Sequence, residues 1–431
     1  MTDPAGARRP WSLSRRRWLG GAVAFWAAGA GGRVRAGGRP EVPRRPAEQR
    51  RADACVFVLL RGGASQLETF DPRPEHPNGA GVPVVETSVA GLRYCAWLPG
   101  LARRAKMLAT VRSLTGEEAN HERALSILRT GHAARAGQVA PGLGAALAAG
   151  YDGVLPGHVV LGGAGQPAGP LGAAFGPFRI HDPRRGVPGI RPPRRFGDER
   201  RRRVVEMRRV LDEGFAARTG DSRLRDRAEV IERTVALLES PALDVFELDR
   251  EPDARRRRYG MDRFGQSCLL ARRLVEAGVP YVEVELGGYD THEDHLARAE
   301  PLARTLDRGL SALLDDLAAS GRLSRTVVVV AGEFGRSPRM NRRAGRDHHP
   351  ALFSALVAGG GVPAGSVVGA GTADGMAVDT RPVTVPDLLR SVATLLGLPP
   401  DLELHTGRGR PLVLLGDGAS IPELVGPPAG A

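Results

Sequence analysis

The chain of 431 residues contains a single lysine, Lys106, so arginine supplies nearly all of its 61 basic side chains. Cysteine is equally scarce. Cys55, Cys95 and Cys268 are odd in number, far apart and form no CxxC pair. That spacing excludes a zinc knuckle and a disulfide framework and leaves room for one bridge at most. Cys55 opens an apolar strand and Cys268 falls in a helical pattern, so both are expected in the core. Aromatic residues make up only 5%, and the chain shows no basic groove interleaved with aromatics of the kind that single-strand binders use. The net charge of +13 does not restore a nucleic-acid partner. Residues 1–51 hold 12 arginines against Asp3, Glu41 and Glu48, a net of +9, which leaves +4 for everything after them. No nucleic-acid partner is expected.

What the sequence does have begins at its N-terminus. Ser14-Arg15-Arg16-Arg17-Trp18-Leu19 leads into a short apolar run ending at Ala30. Basic residues followed by such a run make a secretory leader rather than a membrane span. Paired arginines after a serine resemble the twin-arginine signal, with Trp18 in place of the usual Phe. The expected organisation is a signal peptide over 1–36, a Gly/Pro/Arg-rich linker over 37–51, one α/β domain over 52–415 with a helical insertion at about 198–277, and a tail over 416–431. The expected location is periplasmic or extracellular, with no stable membrane span after cleavage.

Ala54 to Leu60 reads as a buried strand running into Arg61-Gly62-Gly63. Further strands are expected at 107–112, 159–161, 281–286, 326–331 and 353–358, with helices at 98–105, 120–129, 142–149, 296–319 and 387–396. Gly131 stands as the C-cap of the second helix, and Gly162 to Pro193 reads as loop. Strands alternating with helices predict a doubly wound, mostly parallel sheet with helices on both faces. In such sheets ligands sit beyond the carboxyl ends of the strands. Polar residues gather at those ends. One strand runs into Tyr289-Asp290-Thr291-His292-Glu293-Asp294-His295, and the four-valine strand into Gly332-Glu333-Phe334-Gly335-Arg336, with Asp347-His348-His349 soon after. Imidazole and carboxylate in this arrangement suit a divalent metal ion, whether zinc, calcium or magnesium. Asp290, His292, Glu333 and His348 are the expected ligands, and His295 and His349 are weaker candidates. Asp294 and Thr291 also suit capping of the helix that follows. A buried Glu333 needs a partner, either Arg336 or a bound group. His121, opening a helix, suits a nucleophile, a ligand or an acid/base. The four-arginine runs 200–203 and 255–258 read as solvated helix faces.

Four motifs in order carry a resemblance: Arg61 to Pro72, Gly287 to His292, Gly332 to Pro338 and Gly345 to His348. Together they are similar to the domain-of-unknown-function family 1501, found largely in secreted bacterial proteins. More distantly, Thr326–Gly335, His121–Gly131 and Val383–Leu398 resemble the alkaline phosphatase and sulfatase superfamily. That likeness implies an alkaline phosphatase-like fold and hydrolysis of a phosphate or sulfate ester on an anionic small molecule or polysaccharide. It puts a metal-binding Asp-His pair on Glu333-Phe334, so the histidine is lost, and the nucleophile on His121. Arg61 and Arg336 would then stabilise the transferred anionic group. The alternative is a non-catalytic secreted binding protein on the same scaffold.

Overall fold

In a computed structural model, the described residues are 42–190, 198–219, 222–405 and 409–426. The expected signal peptide lies outside them. A nine-stranded sheet runs through the described residues. Its strands are β1 (Ala54–Arg61), β2 (Leu108–Thr115), β3 (His158–Leu161), β4 (Phe178–Ile180), β5 (Tyr281–Gly287), β6 (Thr326–Ala331), β9 (Phe353–Ala358), β10 (Val367–Val368) and β11 (Val383–Thr384). A separate two-stranded ribbon pairs β7 (Gly335–Arg336) with β8 (His348–His349). The main sheet is ordered β10-β2-β9-β6-β1-β5-β3-β4, with β11 also on β2. All of its pairings are parallel except those of β9, which runs against both β6 and β2. The expected α/β class and largely parallel sheet are therefore present.

Burial on both faces explains why β6 is an unbroken apolar run. Val328 and Val330 join one core with Val56, Val58, Val282 and Val284. Val327 and Val329 join the other with Cys55, Phe57 and Leu59. The first core is covered by α1 (Pro99–Arg103), α7 (Arg263–Glu276) and α8 (His295–Ala319). The second is covered by α2 (His121–Thr130), α3 (Leu143–Ala149), α9 (Val385–Leu395) and α10 (Pro422–Val425). Cys55, Cys95 and Cys268 are buried and unbridged.

The expected helical insertion divides in two. α4 (Asp198–Thr219), α5 (Ser222–Glu239) and α6 (Asp253–Tyr259) form its outer part. α7 instead buries Cys268, Leu269, Leu270 and Leu274 against the sheet and belongs to the main layer. The 255–258 arginines each meet a carboxylate, Glu251, Asp249, Asp253 and Asp316 in turn. The stretch expected as loop over 162–193 holds the three-residue strand β4. Residues at both ends of the described range pack on the domain. Val42 is buried, and Arg44 donates from Nε to Leu396 O at 2.9 Å. Past residue 415, Ile421 and Leu424 sink into the second core.

Candidate functional site

β1, β2, β5 and β6 point the same way, so their carboxyl ends share one edge of the sheet. Each end is followed by residues of the site. β1 leads to Gly62-Gly63, β2 to Ala119 and His121, β5 to Asp290 and His292, and β6 to Glu333 and Arg336. The ribbon β7–β8 then folds His348 back over them.

His121 owes its position to the start of α2. Asn120 caps that helix by accepting from Arg123 N–H at 3.2 Å, and Gly131 closes it at φ 73°. The ligand atoms of His121, Asp290 and His348 all lie within 4.8 Å of one another. Asp290 Oδ1 is the hub. His121 Nε2 lies 3.4 Å from it, His292 Nε2 2.9 Å and His348 Nε2 3.2 Å. His292 Nε2 and His348 Nε2 face each other at 3.1 Å.

The opposite ring nitrogens fix what those Nε2 atoms are. His121 Nδ1 lies 2.7 Å from Glu333 Oε1, His292 Nδ1 2.7 Å from Asp347 Oδ1, and His348 Nδ1 2.7 Å from Ala119 O. Carboxylates and carbonyls only accept, so each Nδ1 carries the proton and donates. In the neutral ring each Nε2 is then a bare lone pair. Three lone pairs and a carboxylate oxygen converge, an arrangement that a proton or a cation must satisfy. An imidazole with its far N–H held by a carboxylate or carbonyl is also the usual outer shell of a metal ligand. His121 Nε2 is buried and has no hydrogen-bond partner, its 3.4 Å approach to Asp290 being too poorly aimed. The hydrogen bond that His121 donates to Glu333 raises the His121 pKa, against the opposing effect of burial. Three nitrogens and one oxygen fit zinc better than calcium or magnesium, which take oxygen ligands.

Glu333 lies one layer behind. Its side chain has no exposure; Oε1 accepts from Gly62 N–H at 2.9 Å and holds His121, while Oε2 is buried without a partner. Its partner is therefore His121 and not Arg336. Arg336, expected to face a bound anion, is wholly buried. It donates to Asp290 Oδ1 at 2.6 Å, to Gly63 O at 3.0 Å, to Arg346 O at 3.1 Å and to Gly62 O. Burial pushes the Asp290 carboxyl up, but the Arg336 hydrogen bond and charge, with His348 and His121, hold it well below the usual carboxylate range.

Arg61 is at the rim. It is 44% exposed, 3.4 Å from Glu122 and 3.6 Å from Glu285. His295 is drawn into a separate buried network with Thr291 Oγ1 at 2.6 Å and Glu68 at 2.9 Å. His349 is held by Met376 O at 2.8 Å. Thr291 thus bonds the ring of His295 rather than capping α8, and Asp294 adopts φ 46° with no side-chain cap bond.

Two contributors were missed from the sequence. Phe334 forms a platform, its ring centroid 4.8 Å from that of His121 and 4.7 Å from that of His348. Asn341 donates from Nδ2 to Asp347 Oδ1 at 3.1 Å and to His292 O at 3.0 Å, while its Oδ1 accepts from Gly345 N–H at 2.9 Å. The short polar run Asn341 to His348 is the only sequence signal of the tight turn that places Asn341.

Fold and site together define an α/β protein with an imidazole-carboxylate centre at the carboxyl edge of a mostly parallel sheet. The chain belongs to the family described as protein of unknown function (DUF1501), which matches residues 52–425. No curated protein matches it. Solved structures give distant likenesses. A protein in the alkaline phosphatase superfamily from Vibrio parahaemolyticus shares 11% identity over 90% of this chain and 76% of that one, with a TM-score of 0.40. A sulfatase from Pseudoalteromonas sp. shares 14% over 83% and 70%, with a TM-score of 0.41. A phosphonate monoester hydrolase from Silicibacter pomeroyi shares 14% over 88% and 78%, with a TM-score of 0.38.

Proposed function

We propose that the protein is a metal-dependent hydrolase of phosphate or sulfate esters, exported by the twin-arginine route. One observation carries the metal: three imidazoles, each with Nδ1 pinned by an acceptor, aim Nε2 at the same carboxylate oxygen. His121, Asp290 and His348 would hold the ion, with His292 as the fourth ligand. A bound divalent ion at such a centre supplies an acidified water and polarises an ester oxygen. Glu333 and Asp347 keep the Nδ1 protons of His121 and His292 in place. Arg336 keeps Asp290 ionised and aimed. Arg61, half-exposed beside the centre, offers a guanidinium to an anionic ester group, and the N-terminus of α2 adds a favourable dipole. The ester class is supported by the resemblance of the 121–131, 326–335 and 383–398 segments.

A second reading is a secreted binding protein without turnover. It is favoured by Arg336, whose donor already sits 2.6 Å from the oxygen a metal would take. Metal analysis of the purified protein, its His292→Ala and His348→Ala variants, and hydrolysis of generic phosphate monoesters, diesters and sulfate esters decide between them. The hydrolase reading expects bound metal that falls in both variants, and turnover that falls with it. Metal content unchanged in both, or no turnover in a metal-loaded protein, rejects it.

A further inference from the structure

Away from the strand ends, large apolar side chains left open to water gather on one helix. Among the described residues, α4 exposes Val204, Met207, Val210, Leu211 and Phe215, with Met207 at 63% and Leu211 at 65%. Val204, Met207, Leu211 and Phe215 follow at i, i+3, i+7 and i+11, which sets them on one stripe of a helix. At 1.5 Å per residue the stripe is about 16 Å long. α5 meets a different side of α4, where Val205, Arg208 and Asp212 are half-buried and Arg227 approaches Asp212 at 4.0 Å.

The N-terminal half of α4 carries a positive excess, although Arg203 pairs with Glu199 and Arg209 with Glu206. Residues 198–209, the first half of α4, contain six arginines against Asp198, Glu199 and Glu206, a net of +3. Arg218 lies at the other end, its guanidinium 5.9 Å from the Phe215 ring. An apolar stripe entered through arginines is complementary to a surface that is apolar beneath and anionic above. A second copy of the chain would instead set this positive charge against its own kind or against the nearly neutral C-terminal half of the helix. We propose that α4 docks the protein on the surface of a bilayer containing anionic phospholipid. The contact is peripheral, since no described helix is long and apolar enough to cross a membrane. Side chains of this size, sunk to the headgroup boundary, remove apolar surface from water and so favour binding. Arginines near an anionic surface add electrostatic attraction. This inference is independent of whether the strand-end centre turns over an ester.

Vesicle co-flotation tests it with the full chain, so that the apolar residues 18–30 are common to every protein compared. Phosphatidylcholine vesicles with and without phosphatidylglycerol are the probes. Flotation with the phosphatidylglycerol vesicles only is expected, weakened by added salt. The Met207→Glu/Leu211→Glu variant should bind about tenfold or more weakly. Because both residues are exposed, its thermal unfolding should match the parent's. An Arg203→Glu/Arg209→Glu variant, which leaves the stripe intact, should lose phosphatidylglycerol dependence. Equal flotation of parent and stripe variant overturns the proposal, as does no flotation of either. Light scattering that shows a dimer dissociated by Leu211→Glu also overturns it, by making the stripe a self-interface.

Discussion

Arg336 is a wholly buried cation ringed by acceptors, with its guanidinium on Asp290. Its sequence neighbourhood, just past a buried strand, predicts a cation near the chemistry. The fold turns it inward, where four acceptors surround it. A buried charge deprived of its partner is expensive. Arg336→Met is therefore expected to cost about 3–5 kcal/mol, read by chemical denaturation, because Asp290 and three carbonyls lose their donor. Glu333 was equally hard to aim from sequence. What sets it behind His121 is the Gly62-Gly63 turn: Gly62 sits at φ 104°, and a Cβ there would lie 2.5 Å from Asp290 N. A strand's alternation says which face a residue takes, but not what a turn beyond the strand does with it.

His158, on β3, gives a pH signature unrelated to the site. Burial drives its pKa down from 6.5 to about 3. An unfolded chain takes up this proton near pH 6.5, whereas the folded chain refuses it until near pH 3. The associated stability is thus complete above 6.5 and is lost as pH falls from there towards 3, on the order of a few kcal/mol. His158→Phe is expected to flatten the slope of unfolding free energy against pH in that window. An unchanged slope would place the titration elsewhere.

Among the elements, the turn from Asn341 to Asp347 has the least regular structure and one of the largest roles. Asn341 fixes Asp347, and Asp347 fixes His292. Outer partners of metal ligands are commonly worth 10–100-fold in affinity. Asn341→Ala is expected to weaken metal binding by about 10-fold or more in a chelator competition, with little loss of helix or sheet signal. Gly345 cannot be changed freely, since a Cβ there would fall 1.9 Å from His292 O.

The strands themselves were largely legible. β1 and β6 announce themselves by continuous β-branched or apolar runs, β5 by apolar residues alternating with Glu283 and Glu285, and α2 by Asn120 and Gly131 at its ends. The orientation of β9 was not legible, because an apolar run has no direction. Its antiparallel pairing with β6 and β2 follows from the short ribbon β7–β8 that turns the chain back. β4 escaped notice because three residues between glycines and prolines carry too little pattern.

For the whole molecule, the doubly wound sheet with helices on both faces could be anticipated from the alternation of strands and helices. Which strand ends stand side by side could not, since sheet order is decided by packing between distant segments. A ligand that binds only the folded state stabilises it by mass action. Zinc at 100 times its dissociation constant is therefore expected to add about 2.7 kcal/mol to the unfolding free energy of the protein. The increment should vanish in His121→Ala and in His348→Ala, and calorimetry with and without chelator measures it.

The centre is also assembled from opposite ends of the chain. His121 meets Glu333 across 212 residues, and His348 meets Ala119 across 229. Contacts of such long sequence separation close slowly, after local structure has formed. A nascent or half-folded chain therefore has no centre at all, however much helix it has gained. During refolding, uptake of a chromophoric metal such as cobalt should lag behind the recovery of far-ultraviolet circular dichroism. The centre would then act as a built-in gauge of completed folding, able to separate finished molecules from nearly finished ones.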